Sequence, residues 1–541
     1  MTEHNETSGR LFTCLPYLLL ALVLAAVVFV RIRLLQAPLE RDEGEYAYMG
    51  QLLIRGISPY LHAYTMKLPG VATTYAVIML FFGQNTTGIH LGLLIVNGIC
   101  IFLVFLLARQ LFDRNAAICS CACYAVLSLS QSVFGVYAHA THFVALFVLA
   151  GSYLLLRTKD ELRMALLFVS GLCFGLAFTM KQHAALLIVF AVVYLVWNLL
   201  RNRVSGRKPA IAGITLFLMG TFIPYTLILL YYAKAGKFEP FWFWTVQYAR
   251  EYASGQTFAQ GLTDFADACG YLFSTQPLLW LLAGIGAVFL CTGPGRCTDR
   301  TFLLGLFLFS FLSICPGFYF RRHYFVSLLP AVALLSGAAV FYAGEFISAS
   351  KWGRYRNYAP LLLFMICVTY GLFNEKNYFF LRTPLEVSRT LYGANPFPEA
   401  LEIASYLKNH TTREDRIAVL GSEPEIYFYA DRLSATGHIY MYGLMENQPY
   451  AERMQRQMIR EIESSRPKYL VLANVATSWL KEPTSPRILS QWQDRYLQDF
   501  YEPVGIIDIL DSETTRYLWD DKVAGYVPRS DSYLNVYRRK G

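Results

Sequence analysis

Charge is scarce in this chain. Only 16% of its residues are Asp, Glu, Lys or Arg, against 55% hydrophobic and 16% aromatic over 541 residues. A soluble enzyme of this length is more polar, so the composition excludes that class and points to a polytopic membrane protein. A Gly-rich phosphate loop is missing, and with it the usual mark of nucleotide binding. No basic run with interleaved aromatics stands outside the membrane loops. The formal net charge of +9 is what cytoplasmic loops collect, and no nucleic-acid partner is expected. The polar C-terminal part has no cysteine: all eleven lie between Cys14 and Cys367. A disulfide framework is therefore excluded, and Cys119, Cys121 and Cys123 in an apolar run read as small packing residues. Internal repeats and long low-complexity segments are also lacking.

What is present is a series of apolar runs. The first, residues 11–35, follows a short polar lead and is too long for a signal-peptide core, so it reads as a retained anchor. Others cover 89–108, 116–134, 143–156, 164–180, 184–200, 211–232, 271–291, 301–315, 324–346 and 358–373. Together they predict about eleven transmembrane helices, several shorter than the ~20 residues of a perpendicular span. Residues 71–82 are apolar but too short to cross, and are expected at the outer interface or re-entering.

Basic clusters set the orientation. Arg109 and Arg114; Arg157, Lys159 and Arg163; Arg201, Arg203, Arg207 and Lys208; Arg296 and Arg300; and Lys351, Arg354 and Arg356 fall in alternate loops. By the positive-inside rule these are cytoplasmic. The loops 135–142, 181–183, 233–270 and 316–323 then face outward, as does everything after 373. Arg31 and Arg33 pull the other way, and the basic cluster at 321–323 also goes against the trend.

Beyond residue 373 the chain is charged and Pro-punctuated. Helices are expected at 396–409, 425–429 and 450–465, and buried strands at 416–421 and 468–473. Alternating strands and helices predict a soluble α/β domain with a largely parallel sheet. The domains are thus 1–373, membrane-embedded, with 36–88 as an outer loop, and 374–541, extracytoplasmic.

Three stretches carry chemistry. Residues 40–70 open on Asp42, Glu43 and Glu45 and close on Lys67 beside Pro69 and Gly70, with Tyr46, Tyr60, His62 and Tyr64 between. The carboxylates suit either a solvated helix start or a base or metal ligand facing a polar cavity. Lys67 either snorkels or anchors a phosphate. Arg321, Arg322 and His323 sit on an outward loop, where basic residues are depleted, and ask for an anionic partner: lipid head groups or a bound phosphate. Lys181, His183, His139 and His142 are weaker signals at outer boundaries. Trp242, Trp244 and Tyr248 form an aromatic belt or a sugar-stacking surface.

The order of these parts resembles the GT-C membrane glycosyltransferases. The closest group is the protein O-mannosyltransferase superfamily (glycosyltransferase family 39), with the related bacterial lipid A aminoarabinose transferases. The shared parts are a first membrane helix, an acidic Asp-Glu outer loop, a Lys-x-Pro turn, many further spans, a basic start to a late helix and an outer C-terminal domain. The resemblance covers roughly residues 11–346. It implies an inverting glycosyltransferase that moves a sugar from a polyprenyl-phosphate donor to an outer-face hydroxyl of a lipid, glycan or protein. Asp42 would be the base and Glu43 its catalytic neighbour. Lys67, Arg321, Arg322 and His323 would hold the donor phosphate. Tyr46, Tyr60, His62, Tyr64, Lys181 and His142 would bind substrate. A bacterial inner membrane is the implied location. No cofactor is required by this scheme, though a divalent metal at Asp42, Glu43 and the outer histidines stays open.

Four departures from the family pattern stand out. The C-terminal α/β domain is not the β-trefoil insertion of eukaryotic mannosyltransferases, which argues for a bacterial branch. Glu45 occupies a position where the aminoarabinose transferases carry arginine. A single proline follows Lys67, between Leu68 and Gly70. His90 begins a helix where arginine is common. A different class, a transporter or lipid flippase with cargo-reading outer loops, would show symmetric halves with broken helices. The missing repeats count against it.

Overall fold

The computed structural model describes residues 2–202, 206–293, 297–356 and 358–541. Arg203 and Arg296 of the basic clusters lie outside the described residues. By contacts the chain divides into two compact units. One holds Met1–Arg33, Leu91–Tyr231 and Gln256–Leu381; the other holds Leu34–His90, Tyr232–Gly255 and Arg382–Gly541.

The first unit is helical. Among the described residues, five helices are long and apolar enough to cross a membrane: Leu15–Arg33, Thr86–Leu111, Gln182–Arg201, Arg207–Lys234 and Leu329–Ser348. Thr86–Leu111 begins in the second unit and continues into the first. The pair Phe258–Thr275 and Pro277–Thr292 would make a sixth, but it is bent by 106°. Shorter apolar helices include Arg114–Leu127, Ala140–Leu156, Met164–Met180 and Ala359–Asn374. The expected count of eleven is therefore not reproduced. At 1.5 Å per residue, a 14-residue helix falls short of the ~30 Å hydrocarbon layer.

The run expected to span 271–291 breaks at its own sequence signal. Pro277 cannot continue a helix through its missing N–H, and it restricts the residue before it. Gln276 accordingly leaves helical geometry (φ −133°, ψ 50°), and Pro277 opens the next helix. Glu375 pins the corner: its carboxylate accepts from Gln276 Nε2, from Ser130 Oγ at 3.0 Å and from Gln131 N–H at 2.9 Å. The loop expected at 233–270 is also largely helical, from Phe238–Trp242 through Phe258–Thr275.

Apolar side chains such as Phe102, Phe222, Leu227 and Leu281 stand exposed on these helices. That pattern suits lipid, not water. Helix contacts use small residues: Gly171 and Gly175, four apart, abut the carbonyls of Phe217 and Thr221 on the neighbouring helix, where any Cβ would collide. Arg31, which had argued for a cytoplasmic loop, is buried. Its guanidinium donates to Gly135 O at 3.0 Å and Ser128 O at 3.1 Å, which hold it inside the unit. Cys119, Cys121 and Cys123 are buried and free, as packing residues should be.

The second unit contains a six-stranded sheet of β1 (Arg416–Leu420), β2 (Leu433–Ser434), β3 (Tyr469–Asn474), β4 (Tyr501–Ile509), β5 (Thr515–Trp519) and β6 (Tyr533–Arg539). Its order is β2-β1-β3-β6-β4-β5. The expected parallel character holds only for β1 with β2 and β3; β6 pairs antiparallel with β3 and β4, and β4 with β5. The reason is connection length. The first strands are joined through helices such as Ala451–Ser465, whereas β4 and β5 are joined by a tight turn, which only antiparallel neighbours allow.

Within this unit the helix Arg41–Ile54 lies directly on the helix Glu425–Ala430. A Cβ on Gly44 would sit 2.6 Å from the Glu425 backbone nitrogen. Tyr48 Oη accepts from Ser434 N–H and Tyr429 Oη from Leu39 N–H, both at 2.8 Å. Helix Pro69–Phe82 has 14 residues, too few to cross, and ends on exposed Leu80 and Phe81.

Candidate active site

In the second unit, the helix Arg41–Ile54 begins just ahead of the acidic cluster. Glu40 is its N-cap: Glu43 N–H donates to Glu40 Oε1 at 2.8 Å, and Glu40 N–H to Glu43 Oε2 at 3.4 Å. This reciprocal capping box satisfies two N–H groups the helix would otherwise leave open. The signal was in the sequence as Glu40-x-x-Glu43, with glutamate in place of the usual hydroxyl residue. Burial, with Asp42 and Glu43 adding to it, pushes the Glu40 carboxyl well above its ordinary range.

Asp42 and Glu45 are three apart on this helix and so share a face. Both reach Lys67, whose Nζ donates to Asp42 Oδ1 at 2.6 Å and Glu45 Oε2 at 2.5 Å. The Asp42 side chain keeps 18% of its surface exposed; Glu45 keeps 3%. Lys67 also faces the rings of Tyr46, at 4.5 Å, and Tyr440, at 5.8 Å, as a cation on aromatic faces. Burial alone would lower the Lys67 ammonium; Asp42 and Glu45 outweigh it and hold it well above the usual lysine range. The Tyr60 hydroxyl donates to the Lys67 carbonyl at 2.6 Å, fixing the turn that carries it.

Glu43 is used differently. It is fully buried, and its Oε1 lies 3.1 Å from His90 Nε2. The other ring nitrogen of His90, Nδ1, is 2.9 Å from the Leu35 carbonyl. A carbonyl can only accept, so Nδ1 carries a proton and one further proton is shared between Nε2 and Glu43. His90, a departure from the family pattern, thus completes a positioning contact. Glu45, the other charged departure, is the second carboxylate on Lys67.

Arg41 was missed by the sequence reading. Its guanidinium is nearly saturated, donating to Ser422 O at 2.5 Å, Tyr442 Oη at 2.6 Å, Asn395 Oδ1 at 3.0 Å and Glu423 Oε1 at 3.4 Å. Nothing in 40–70 alone could reveal these partners, which lie more than 350 residues away. Glu425 is buried beside this network, and neither oxygen has a partner among the described residues. Burial raises it well above the usual range, and Glu423 adds to the effect.

The expected substrate residues divide. Tyr46 faces Lys67, as above. Tyr60 packs edge-on against Tyr232 and Phe241. Tyr64 stacks on Trp244 at 5.0 Å and donates to Glu461 at 2.7 Å. The Trp244 face is thereby used within the protein. His62 lines a cavity whose wall includes neither Asp42 nor Lys67.

The first unit gathers the other candidates around Tyr324. His323 stacks on His139, with ring centroids 4.2 Å apart, and meets Tyr324 edge-on at 4.8 Å. Lys181 Nζ lies 3.4 Å from the centre of the Tyr324 ring, and His183 packs on the same ring. The Arg322 guanidinium lies 4.0 Å from the centre of Phe134 and 4.5 Å from that of Tyr271. Arg321 rests near Tyr319. His142 is fully buried with neither ring nitrogen bonded among the described residues. His323 thus links His139 to the Tyr324 ring, on which Lys181 and His183 also sit.

Residues 66–227 match the family model described as dolichyl-phosphate-mannose-protein mannosyltransferase. Among solved structures, ArnT from Cupriavidus metallidurans bound to undecaprenyl phosphate aligns over 96% of this chain and 97% of its own, with a TM-score of 0.58 at 14% identity. The chain has the GT-C fold. The same fold in the archaeal oligosaccharyltransferase AglB from Archaeoglobus fulgidus, in complex with an inhibitory peptide and a dolichol-phosphate, aligns over 94% of this chain and 75% of that one. Its TM-score is 0.54 at 12% identity. The resemblance of this GT-C chain to the protein O-mannosyltransferase and aminoarabinose transferase superfamily, drawn above from its motifs, stands. A search of curated proteins finds no match.

Proposed function

We propose that this chain is a membrane-embedded, inverting glycosyltransferase that moves a sugar from a polyprenyl phosphate to an acceptor hydroxyl on the outer face of a bacterial inner membrane. The observation that carries the reading is the partly exposed Asp42 carboxylate held at 2.6 Å by Lys67, on a GT-C fold. Its structural neighbours hold undecaprenyl phosphate and dolichol-phosphate.

In the reaction the acceptor oxygen attacks the anomeric carbon as the bond from that carbon to the phosphate oxygen breaks. Asp42 takes the acceptor proton, and the lipid phosphate leaves with the bonding pair. The transition state is oxocarbenium-like, as in glycoside chemistry. A phosphate leaving group needs charge neutralisation more than a proton, and Arg321 and Arg322 are assigned that role. Lys67 faces two carboxylates with one ammonium, so it orients Asp42 first. A phosphate approaching Nζ meets a local excess of negative charge. Glu43, bonded to His90 and to the helix start, positions the loop.

The same geometry bears on a metal. Lys67 already pairs with Asp42 and Glu45; a divalent ion, if one is used, would be held by Asp42 with other donors and would supply charge neutralisation. Transfer measured with and without EDTA decides whether one is needed: activity that survives EDTA assigns the chemistry to the side chains alone, and loss restored only by a divalent cation assigns a metal.

The test of the function is transfer of radiolabelled sugar from a mixed pool of polyprenyl-phosphate sugars to lipid, glycan or protein acceptors in membranes. Label in an acceptor that depends on the chain supports the reading. Vectorial movement of intact donor across a vesicle with no covalent product contradicts it and favours a flippase.

A further inference from the structure

The second unit has a cavity of about 380 Å³ lined by His62, Arg416, Thr436, Gln457, Arg460, Glu461 and neighbouring serines, among others. That volume is within the roughly 300–1,000 Å³ of small-molecule sites. It is distinct from the Asp42–Lys67 pair, neither of which lines it. We propose that this cavity binds a sugar phosphate through Arg416 and Arg460.

The cavity wall holds unspent donors. Glu461 is the carboxylate in the wall, and it is already saturated. Its Oε1 accepts from Tyr64 Oη at 2.7 Å and Gln457 Nε2 at 2.8 Å. Its Oε2 accepts from Thr436 Oγ1 at 2.6 Å and Gly437 N–H at 3.0 Å. A carboxylate offers about four lone-pair sites, so Glu461 has none left for an arginine. Arg416 makes one bond, from Nη1 to Ser434 O at 3.1 Å. Arg460 makes no ion pair among the described residues. Two guanidiniums thus line a cavity whose single carboxylate is spoken for.

The cationic field is felt by His62. Burial lowers its pKa first, and Arg416 and Lys237 lower it further, against a smaller opposing pull from Glu461. His62 is therefore neutral at pH 7 and offers one donor and one acceptor to hydroxyls. Guanidiniums match phosphate oxygens in pairs. The cavity is larger than a bare phosphate needs, and Ser464, Ser465 and Leu61 also line it. Polar groups with the apolar side chains of Leu61 and Ala435 suit a sugar ring.

The proposal does not rest on the transferase reading, because binding is measured without transfer. The full-length protein in detergent is titrated calorimetrically with glucose 1-phosphate, glucose and inorganic phosphate. Wild type should bind glucose 1-phosphate best. Arg460→Gln, at an exposed residue whose loss leaves the fold intact, should weaken it about tenfold. Arg416→Gln with Arg460→Gln should abolish measurable binding, and Asp42→Asn should leave it unchanged. Unaltered binding in both arginine variants, or loss in Asp42→Asn, overturns the site. Inorganic phosphate binding as tightly as glucose 1-phosphate overturns the sugar-phosphate assignment, and absence of binding at millimolar probe overturns the proposal outright.

Discussion

Lys67 and Arg322 were both expected to meet a phosphate, yet they are held in opposite ways. Lys67, in one unit, is clamped by two carboxylates at 2.6 and 2.5 Å. Arg322, in the other, rests on the faces of Phe134 and Tyr271. An ammonium between carboxylates has its charge spent; its value is in holding Asp42 in one orientation. A guanidinium on aromatic rings has its plane set by those faces. Under the proposed reaction, the two environments suit two roles that a sequence lists only as "basic": orienting a base, and meeting a leaving group.

The sharpest way to break this contrast is Lys67→Met. It leaves the partly exposed Asp42 and the buried Glu45 facing each other without their cation. Transfer should fall at least a hundredfold, read by initial rates at matched expression. A rate near wild type would mean that Lys67 does not orient Asp42.

Next in size is a pH effect in the same unit. His438 is buried beside Tyr64 and Trp244, and burial lowers it to about 4, despite Glu461. The folded state therefore disfavours the imidazolium. Its contribution is present above the ordinary value of 6.5 and is lost as pH falls from there toward 4, on the order of 3 kcal/mol. His438→Gln should flatten that part of the stability profile in thermal melts followed by Trp fluorescence.

Gly44→Ala tests the packing under the base. The added methyl would meet the Glu425 backbone at 2.6 Å, and overpacking of this kind costs about 2 kcal/mol. Melting temperature should drop, and Asp42 should lose its register. The smallest effect is Arg322→Lys. The charge stays but the planar stack is lost, so donor affinity should weaken by about tenfold with the chemical rate little changed. An equal loss in rate and affinity would put Arg322 in the transition state.

Much of this was legible because local chemistry announced it. Asp42, Glu45 and Lys67 stand out against a chain poor in charge, and Pro69 marks a turn. The strands at 416 and 469 are short apolar runs between helices. What stayed hidden was long-range or geometric. Arg41 finds its partners at 395–442, and His90 finds Glu43 across 47 residues. Strand direction depended on turns after residue 500, where β4, β5 and β6 were not anticipated. Span counting failed where helices are 14 to 17 residues long, because hydropathy does not distinguish a short buried helix from a short crossing one.

The central claim is that Asp42 is the base. It is tested most directly by single-turnover transfer at saturating donor, wild type against Asp42→Asn, with bound donor measured in the same samples. The account predicts equal donor occupancy and a rate at least a hundredfold lower in the variant, within the range of lost general-base catalysis. Rates within threefold of each other would make Asp42 a helix-start carboxylate held by Lys67, and the base would have to be sought elsewhere.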